Sequence, residues 1–274
     1  MMGIGVSLAL AGCEAEPAPD DDDDAVVDDD DAVSCGQSSG GSGGSVGTSW
    51  YEIDGFGTPG DGVPDYELLV HVPEGLDPAV PAPVLMLVAR RMPLDRPTNE
   101  MIMLETNGVA LRDFLEDQGW IGVLPLPGIG PDGISWQSSA TDDAFLPAAH
   151  ELLADNFDID LDRFWMVGSS AGGAAGNYLS WRHGGLVAAQ LNHAGPNPFA
   201  GSWPETPWDD DCAALFVHGP TDNVVSEASV EDGALMWEDA GQRTERDYEY
   251  EHGHEWNHAA MNALMADFFP TTCN

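Results

Sequence analysis

The chain has 274 residues, and 8 Lys+Arg against 48 Asp+Glu leave a formal net charge of −40. Such a field repels phosphate backbones, so nucleic acid is excluded as a partner, and polyanionic substrates such as pectins are disfavoured. A hydrophobic content of 43% with nine Trp is enough for a real core, and the length suits one domain of roughly 200–250 residues.

No stretch reaches the ~20 apolar residues that a membrane-spanning helix needs. The first thirteen residues form a short apolar run ending in Leu10-Ala11-Gly12-Cys13. That ending resembles the lipobox of bacterial lipoprotein signal peptides, which implies lipidation of Cys13, although the positively charged start of such peptides is missing. A lipid anchor is then the only membrane contact, and the protein is expected in the cell envelope, extracytoplasmic or secreted. Residues 14–49 carry the acidic runs Asp20–Asp24 and Asp28–Asp31 and the Gly/Ser-rich stretch Gly36–Gly47. Like charges repel and glycine adds backbone freedom, so this segment is expected to be a disordered, extended linker. Gly55–Asp65 reads as a hairpin turn, because it lacks the alternating acids of a calcium loop.

Residues 50–274 alternate strand-like and helix-like segments. Strands are expected at Tyr66–Val72, Val84–Val88, Ile121–Leu124, Phe164–Val167, Ala188–Leu191, Ala213–Val217 and Asp247–Glu251. Several of these are apolar throughout, as strands buried on both faces must be. Helices are expected at Val109–Glu116, after Thr141 as N-cap, at Ala171–Trp181, near Val230–Glu238 and at His258–Phe269. Repeated βα units imply the α/β class, with a mostly parallel central sheet covered by helices on both faces.

Gly168-Ser169-Ser170-Ala171-Gly172 has the form G-x-S-x-G and lies between a strand and a helix, the setting of a nucleophile elbow. The tight turn demands small residues two before and two after the serine, and Gly168 and Gly172 supply them. Ser169 is out of register, since Val167 and Ala171 would flank it. Ser170 would stand at a helix N-terminus, where the free Ala171 N–H favours a developing oxyanion. The partners follow in the order acid, then histidine. Asp222 lies in the loop after the strand Ala213–Val217, at the strand end where active sites of open α/β sheets lie. Asp209, Asp210 and Asp211 precede that strand, at the wrong end. His254 lies between the strand Asp247–Glu251 and the last helix, which Asn257 can cap, and His252 and His258 stand close enough to be alternatives. His218 precedes the acid loop and would orient it, whereas His71, His150, His183 and His193 read as surface or core residues. No Cys-x-x-Cys occurs and His252-Gly253-His254 lacks partners at zinc spacing, so no metal and no cofactor is expected.

Together these residues resemble a known family. Asp158–Gly173, Trp136 with Asp142-Asp143-Ala144-Phe145-Leu146, His218–Val225 and Gly253-His254-Glu255-Trp256 are similar to segments of the secreted polyhydroxybutyrate depolymerase and feruloyl esterase-like α/β-hydrolases. The resemblance spans roughly Tyr66 to Phe269. It implies the α/β-hydrolase fold, with Ser170 as nucleophile, Asp222 as acid and His254 as base. In that family the strand equivalent to Val84–Val88 ends in His-Gly beside the second oxyanion donor. Here Val88-Ala89-Arg90-Arg91-Met92 follows, so the backbone N–H of Arg90 or Arg91 is the candidate donor. Trp136 and Trp256 are candidate pocket walls.

The reading is a lipid-anchored serine esterase acting on small or polymeric carboxylic esters of the hydroxyalkanoate, feruloyl or acetyl class. A serine peptidase of the same fold and a catalytically silent, hydrolase-like binding lipoprotein are the alternatives. With Cys13 acylated, Cys35, Cys212 and Cys273 remain. Cys212 begins a strand and the last helix runs back towards that sheet edge, so a Cys212–Cys273 disulfide is expected.

Overall fold

A computed structural model describes residues 36–42, 44–53, 66–88, 111–126, 129–130, 133–134, 140–199 and 212–273. Their elements run β1 (Gly47–Ile53), β2 (Tyr66–Val72), β3 (Ala82–Val88), α1 (Leu111–Gln118), β4 (Ile121–Leu126), the short hairpin β5 (Ile129–Gly130) and β6 (Gly133–Ile134), and α2 (Ala140–Asn156). They continue with β7 (Ile159–Ser169), α3 (Ala171–Arg182), β8 (Ala189–His193), β9 (Ala213–Val217), α4 (Glu227–Asp239), β10 (Thr244–Asp247) and α5 (His258–Phe268). None of the helices among the described residues is long and apolar enough to cross a membrane.

Eight strands form one sheet in the order β1-β2-β4-β3-β7-β8-β9-β10. β1, β2 and β4 pair antiparallel, and every pair from β4–β3 to β9–β10 is parallel. The central strands β3, β4 and β9 are buried along almost their whole length, the reason they read as continuous apolar runs, whereas the parallel edge strand β10 is polar and partly exposed. Side chains alternate across the sheet into two cores. One face packs Phe145, Leu153, Leu179, Trp181, Val230 and Trp237 from α2, α3 and α4, and the other packs Phe114, Leu115, Met261, Met265 and Phe268 from α1 and α5. On the second face Trp165 stacks on Phe269 at 5.3 Å and meets Trp120 edge-on at 4.8 Å.

Register brings the C-terminal ends of the parallel strands to one edge. Val88 pairs with Gly168, Ser169 with His193, His193 with Val217, and Val217 with Asp247. Every βα loop that carries a candidate side chain leaves from this edge.

Several expectations are corrected. The stretch Gly36–Ser42 lies along the start of β7 instead of floating as a linker: Ser38 bridges Asp160, and the Gly36 and Gln37 N–H groups donate to the Asp162 carboxylate. Its glycines serve close approach. A Cβ on Gly41 would fall 2.2 Å from the Phe157 carbonyl oxygen, and one on Gly44 would fall 2.1 Å from the Phe157 ring. α2 starts at Ala140, so Thr141 lies inside the first turn and is not the cap. β10 runs only from Thr244 to Asp247; residues 248–250 are irregular, and Glu251 opens the following turn. The hairpin assigned to Gly55–Asp65 lies outside the described residues, although Ile53 and Tyr66 on either side pair antiparallel.

The Cys212–Cys273 disulfide does not form. Cys212 is a free, buried thiol, while Cys273 is disulfide-bonded. Strand alternation explains it. Cys212 points with Ala214 and Phe216 into the first core, whereas Phe268 and Phe269, close before Cys273, fill the core on the opposite face. Burial pushes the Cys212 thiol well above its ordinary range, so it acts as a small apolar side chain.

Candidate active site

Ser170 sits between β7 and α3 with φ 57° and ψ −123°, a conformation that a residue with a Cβ holds only when its surroundings impose it. The surroundings are close backbone contacts. A Cβ on Gly168 would lie 2.3 Å from the Gly172 carbonyl oxygen, and one on Gly173 would lie 2.5 Å from Asn192 Oδ1. The Ser170 N–H donates to the His193 carbonyl at 2.9 Å, and the Ser170 carbonyl accepts from Ala174 N–H at 3.0 Å. The turn is thus closed on both sides, and Ser170 Oγ is lifted clear of the strand at the head of α3.

The other two candidates converge on it. Ser170 Oγ donates to His254 Nε2 at 3.1 Å, and His254 Nδ1 donates to Asp222 Oδ2 at 2.9 Å. Three residues 84 and 32 positions apart in sequence therefore form one hydrogen-bonded line. Of the three candidate histidines it is His254 that reaches Ser170, with His252 exposed on the turn before it and His258 on the first turn of α5. Two glycines let the acid and base loops touch. A Cβ on Gly219 would meet Gly253 Cα and the Tyr250 carbonyl oxygen at 2.5 Å, and Gly253 itself holds φ +60°. The base loop is further anchored where Tyr250 Oη donates to the Glu255 carbonyl and accepts from Asn257 N–H, while Asn257 caps α5 through Ala260 N–H.

The Asp222 carboxylate is shielded from solvent. Burial alone would raise its pKa, but N–H donation from Val225, the hydrogen bond from His254 and N–H donation from Val224 outweigh it and bring the group below the ordinary carboxylate range. Asp222 is thus a fixed negative charge facing the imidazole. His218 Nε2 donates to the Val225 carbonyl at 2.9 Å and lies 3.7 Å from Asp222 Oδ2, so it brackets the acid loop as expected.

Ala171 N–H opens α3, and the first N–H groups of a helix have no acceptor within it, so this group is free to serve an oxyanion beside Ser170. The partner donor assigned to Arg90 or Arg91 lies outside the described residues, as do Trp136 and Cys13. Trp256 is half-buried and packs edge-on against His193 at 5.8 Å, tied to the second core. Asp143 accepts from Arg182 Nε and Nη2, each at 3.2 Å, and from His183, pinning α2 to the far end of α3. His71 is buried between Thr48 and Glu116, and His150 packs on Phe164.

No protein-family model matches the chain, and none of the curated proteins does. Solved structures do. The chain is similar to an acetyl xylan esterase from Aspergillus awamori, with TM-score 0.59 and 12% identity over 80% of this chain and 99% of that one. The fold is that of the α/β-hydrolases. A thermostable esterase superposes with TM-score 0.60 at 15% identity over 83% of this chain, and the chain spans 63% of its length. Against Porphyromonas gingivalis dipeptidyl peptidase 4 the TM-score is 0.61 at 14% identity over 82% of this chain, and only 35% of that chain is spanned.

Sequence reasoning passed over His193, which it placed among surface or core residues. It is fully buried, accepts from the Ser169 hydroxyl at Nδ1 (2.9 Å) and donates from Nε2 to the Gly253 carbonyl (3.3 Å). The available signal was its place at the C-terminal end of a parallel strand neighbouring the nucleophile strand.

Proposed function

We propose that this protein is a serine hydrolase of carboxylic esters. The observation that carries the reading is the line Ser170 Oγ–His254 Nε2, His254 Nδ1–Asp222 Oδ2, at 3.1 and 2.9 Å. In the first half-reaction His254 takes the Ser170 proton as Oγ adds to the ester carbonyl, and the tetrahedral oxyanion meets Ala171 N–H. His254 then returns the proton to the departing alcohol, leaving an acyl-Ser170. In the second, His254 deprotonates water, which adds to the acyl carbon, and the acid leaves as Ser170 recovers its proton. Asp222 stays ionised and holds the imidazole in the tautomer with a free Nε2 lone pair.

Esters are favoured over amides by size. The chain covers nearly the whole of an acetyl xylan esterase and of a ferulic acid esterase, at 99% and 97% of those chains, but only 41% of an acylaminoacyl peptidase. Hydroxyalkanoate, feruloyl or acetyl esters are the substrate class. The Leu10–Cys13 segment supports attachment to the outer face of a bacterial membrane through lipidated Cys13, and a disulfide-bonded Cys273 suits an oxidising compartment.

A fluorophosphonate probe tests the chemistry. The expected result is a single covalent adduct at Ser170, absent from Ser170→Ala, in a protein that recovers with membranes and carries acyl mass on Cys13. A folded wild-type chain that takes no label would leave only the silent, hydrolase-like binding protein.

A further inference from the structure

The nucleophile and the base come from loops far apart in sequence, and their 3.1 Å contact needs both loops held to a few tenths of an ångström. The residues immediately before each of them, Ser169 and Gly253, share one partner. His193 accepts the Ser169 hydroxyl at Nδ1 and donates from Nε2 to the Gly253 carbonyl, while its own carbonyl accepts the Ser170 N–H at 2.9 Å. Resting on the serine-hydrolase reading, we propose that His193 is a positioning residue that couples the elbow to the base loop and sets the Ser170–His254 distance.

The arrangement is built for rigidity. The ring is 0% exposed and is gripped edge-on by Tyr250 at 4.9 Å and Trp256 at 5.8 Å, both on the segment that carries His254. The backbone behind it is held by the sheet, with His193 in register between Ser169 and Val217. The next residue, Ala194, holds φ 50° and donates its N–H to the Val217 carbonyl, so the strand end is fixed in a strained turn directly behind the ring. The two bonds require one neutral tautomer, with Nδ1 an acceptor and Nε2–H a donor. Burial keeps the ring in that form by depressing its pKa to about 4. The titratable groups facing it are His254, Asp222 and His218, with Tyr250 against the ring. A mobile or protonated side chain would transmit disorder to both Ser170 and His254, and a fixed neutral imidazole transmits none.

Variants separate this from a merely structural role. His193→Phe keeps the ring packing and removes both hydrogen bonds. His193→Gln restores a donor at the distance of Nε2, in reach of the Gly253 carbonyl. Ser169→Ala cuts the nucleophile end alone. Each is measured for the rate of fluorophosphonate labelling and for p-nitrophenyl acetate hydrolysis against pH, at temperatures where circular dichroism shows it folded. The expected result for His193→Phe is a ~10–100-fold fall in kcat with KM within about twofold, since a misplacement near 1 Å costs about 10² in rate. The acid limb of its pH profile moves, because His254 no longer sits at its fixed distance from Ser170. His193→Gln recovers most of the loss, and Ser169→Ala falls several-fold. A folded His193→Phe that labels at the wild-type rate with an unmoved acid limb overturns the inference. Should His193→Phe not fold, Ser169→Ala decides, and a labelling rate within twofold of wild type overturns it. A wild-type protein that takes no label at all removes the serine-hydrolase reading and this inference with it.

Discussion

Ser170→Ala should lower kcat/KM by about 10⁴–10⁶-fold while the protein unfolds within a degree or two of wild type. Where nucleophile, base and acid act as one unit, removing the nucleophile costs nearly as much as removing all three. What survives is the water reaction assisted by Ala171 N–H and by whatever binding energy the substrate retains. Stability should barely respond, because alanine keeps the Cβ and therefore keeps the strain at φ 57°. Ser170→Gly makes the contrast. Glycine tolerates that conformation, so it should be equally inactive yet more stable than Ser170→Ala by about 1 kcal/mol, a part of the ~1–3 kcal/mol that such a conformation stores. Steady-state kinetics and thermal melts of the three proteins check both halves. Equal melting temperatures for the Gly and Ala variants would show that the elbow holds no recoverable strain.

Asp222→Asn should cost ~10⁴-fold in kcat and leave KM close to unchanged. The amide can occupy the same space, but it presents a donor or a weak acceptor to His254 Nδ1, frees the ring to adopt the other tautomer, and no longer stabilises the imidazolium that forms as Ser170 gives up its proton. The same substitution changes how stability follows pH. The folded-state pKa of Asp222 is depressed below its ordinary value of 3.8. Its ionised form therefore contributes stability that is fully present above about pH 4 and is lost as pH falls through the depressed value. The melting-temperature gap between wild type and Asp222→Asn should accordingly be widest near neutral pH and close on acidification below about pH 4. A gap that stays constant from pH 7 to pH 3 would mean that the carboxylate's hydrogen bonds add nothing to the folded state.

The elements that sequence reasoning placed well are those whose physics is local. Ala213–Val217 and Tyr66–Val72 agree residue for residue with β9 and β2, the first because a run buried on both faces has no polar side chains to confuse its limits, the second because Pro73 stops the strand. The elbow was legible for a similar reason. A serine in a turn this tight needs glycine two residues away on either side, and the Cβ distance at Gly168 shows why nothing larger fits. The loops bearing Asp222 and His254 could be placed from strand order alone, since in a parallel sheet every βα loop emerges at the same edge.

What only the tertiary structure decided is everything that depends on which face a side chain takes or on what lies across a contact. Sequence position and the Gly253-His254-Glu255-Trp256 resemblance favour His254, but His252 and His258, two and four residues away, remain alternatives at that level. Gly253 at φ +60° and its contact with Gly219 turn His254, and not its neighbours, towards Ser170. Cys212 and Cys273 share a sheet edge in a linear sketch, yet a period of two in the strand sends Cys212 through to the opposite core. The Gly/Ser stretch before β1 has the composition of a flexible linker, and the same small residues are what allow it to lie against Phe157. His193 is the sharpest case. A lone histidine at the end of a buried strand carries only the weak signal of that position, and its place between Ser170 and His254 exists only because the sheet sets His193 beside Ser169 and the loop bearing Gly253 folds back over both.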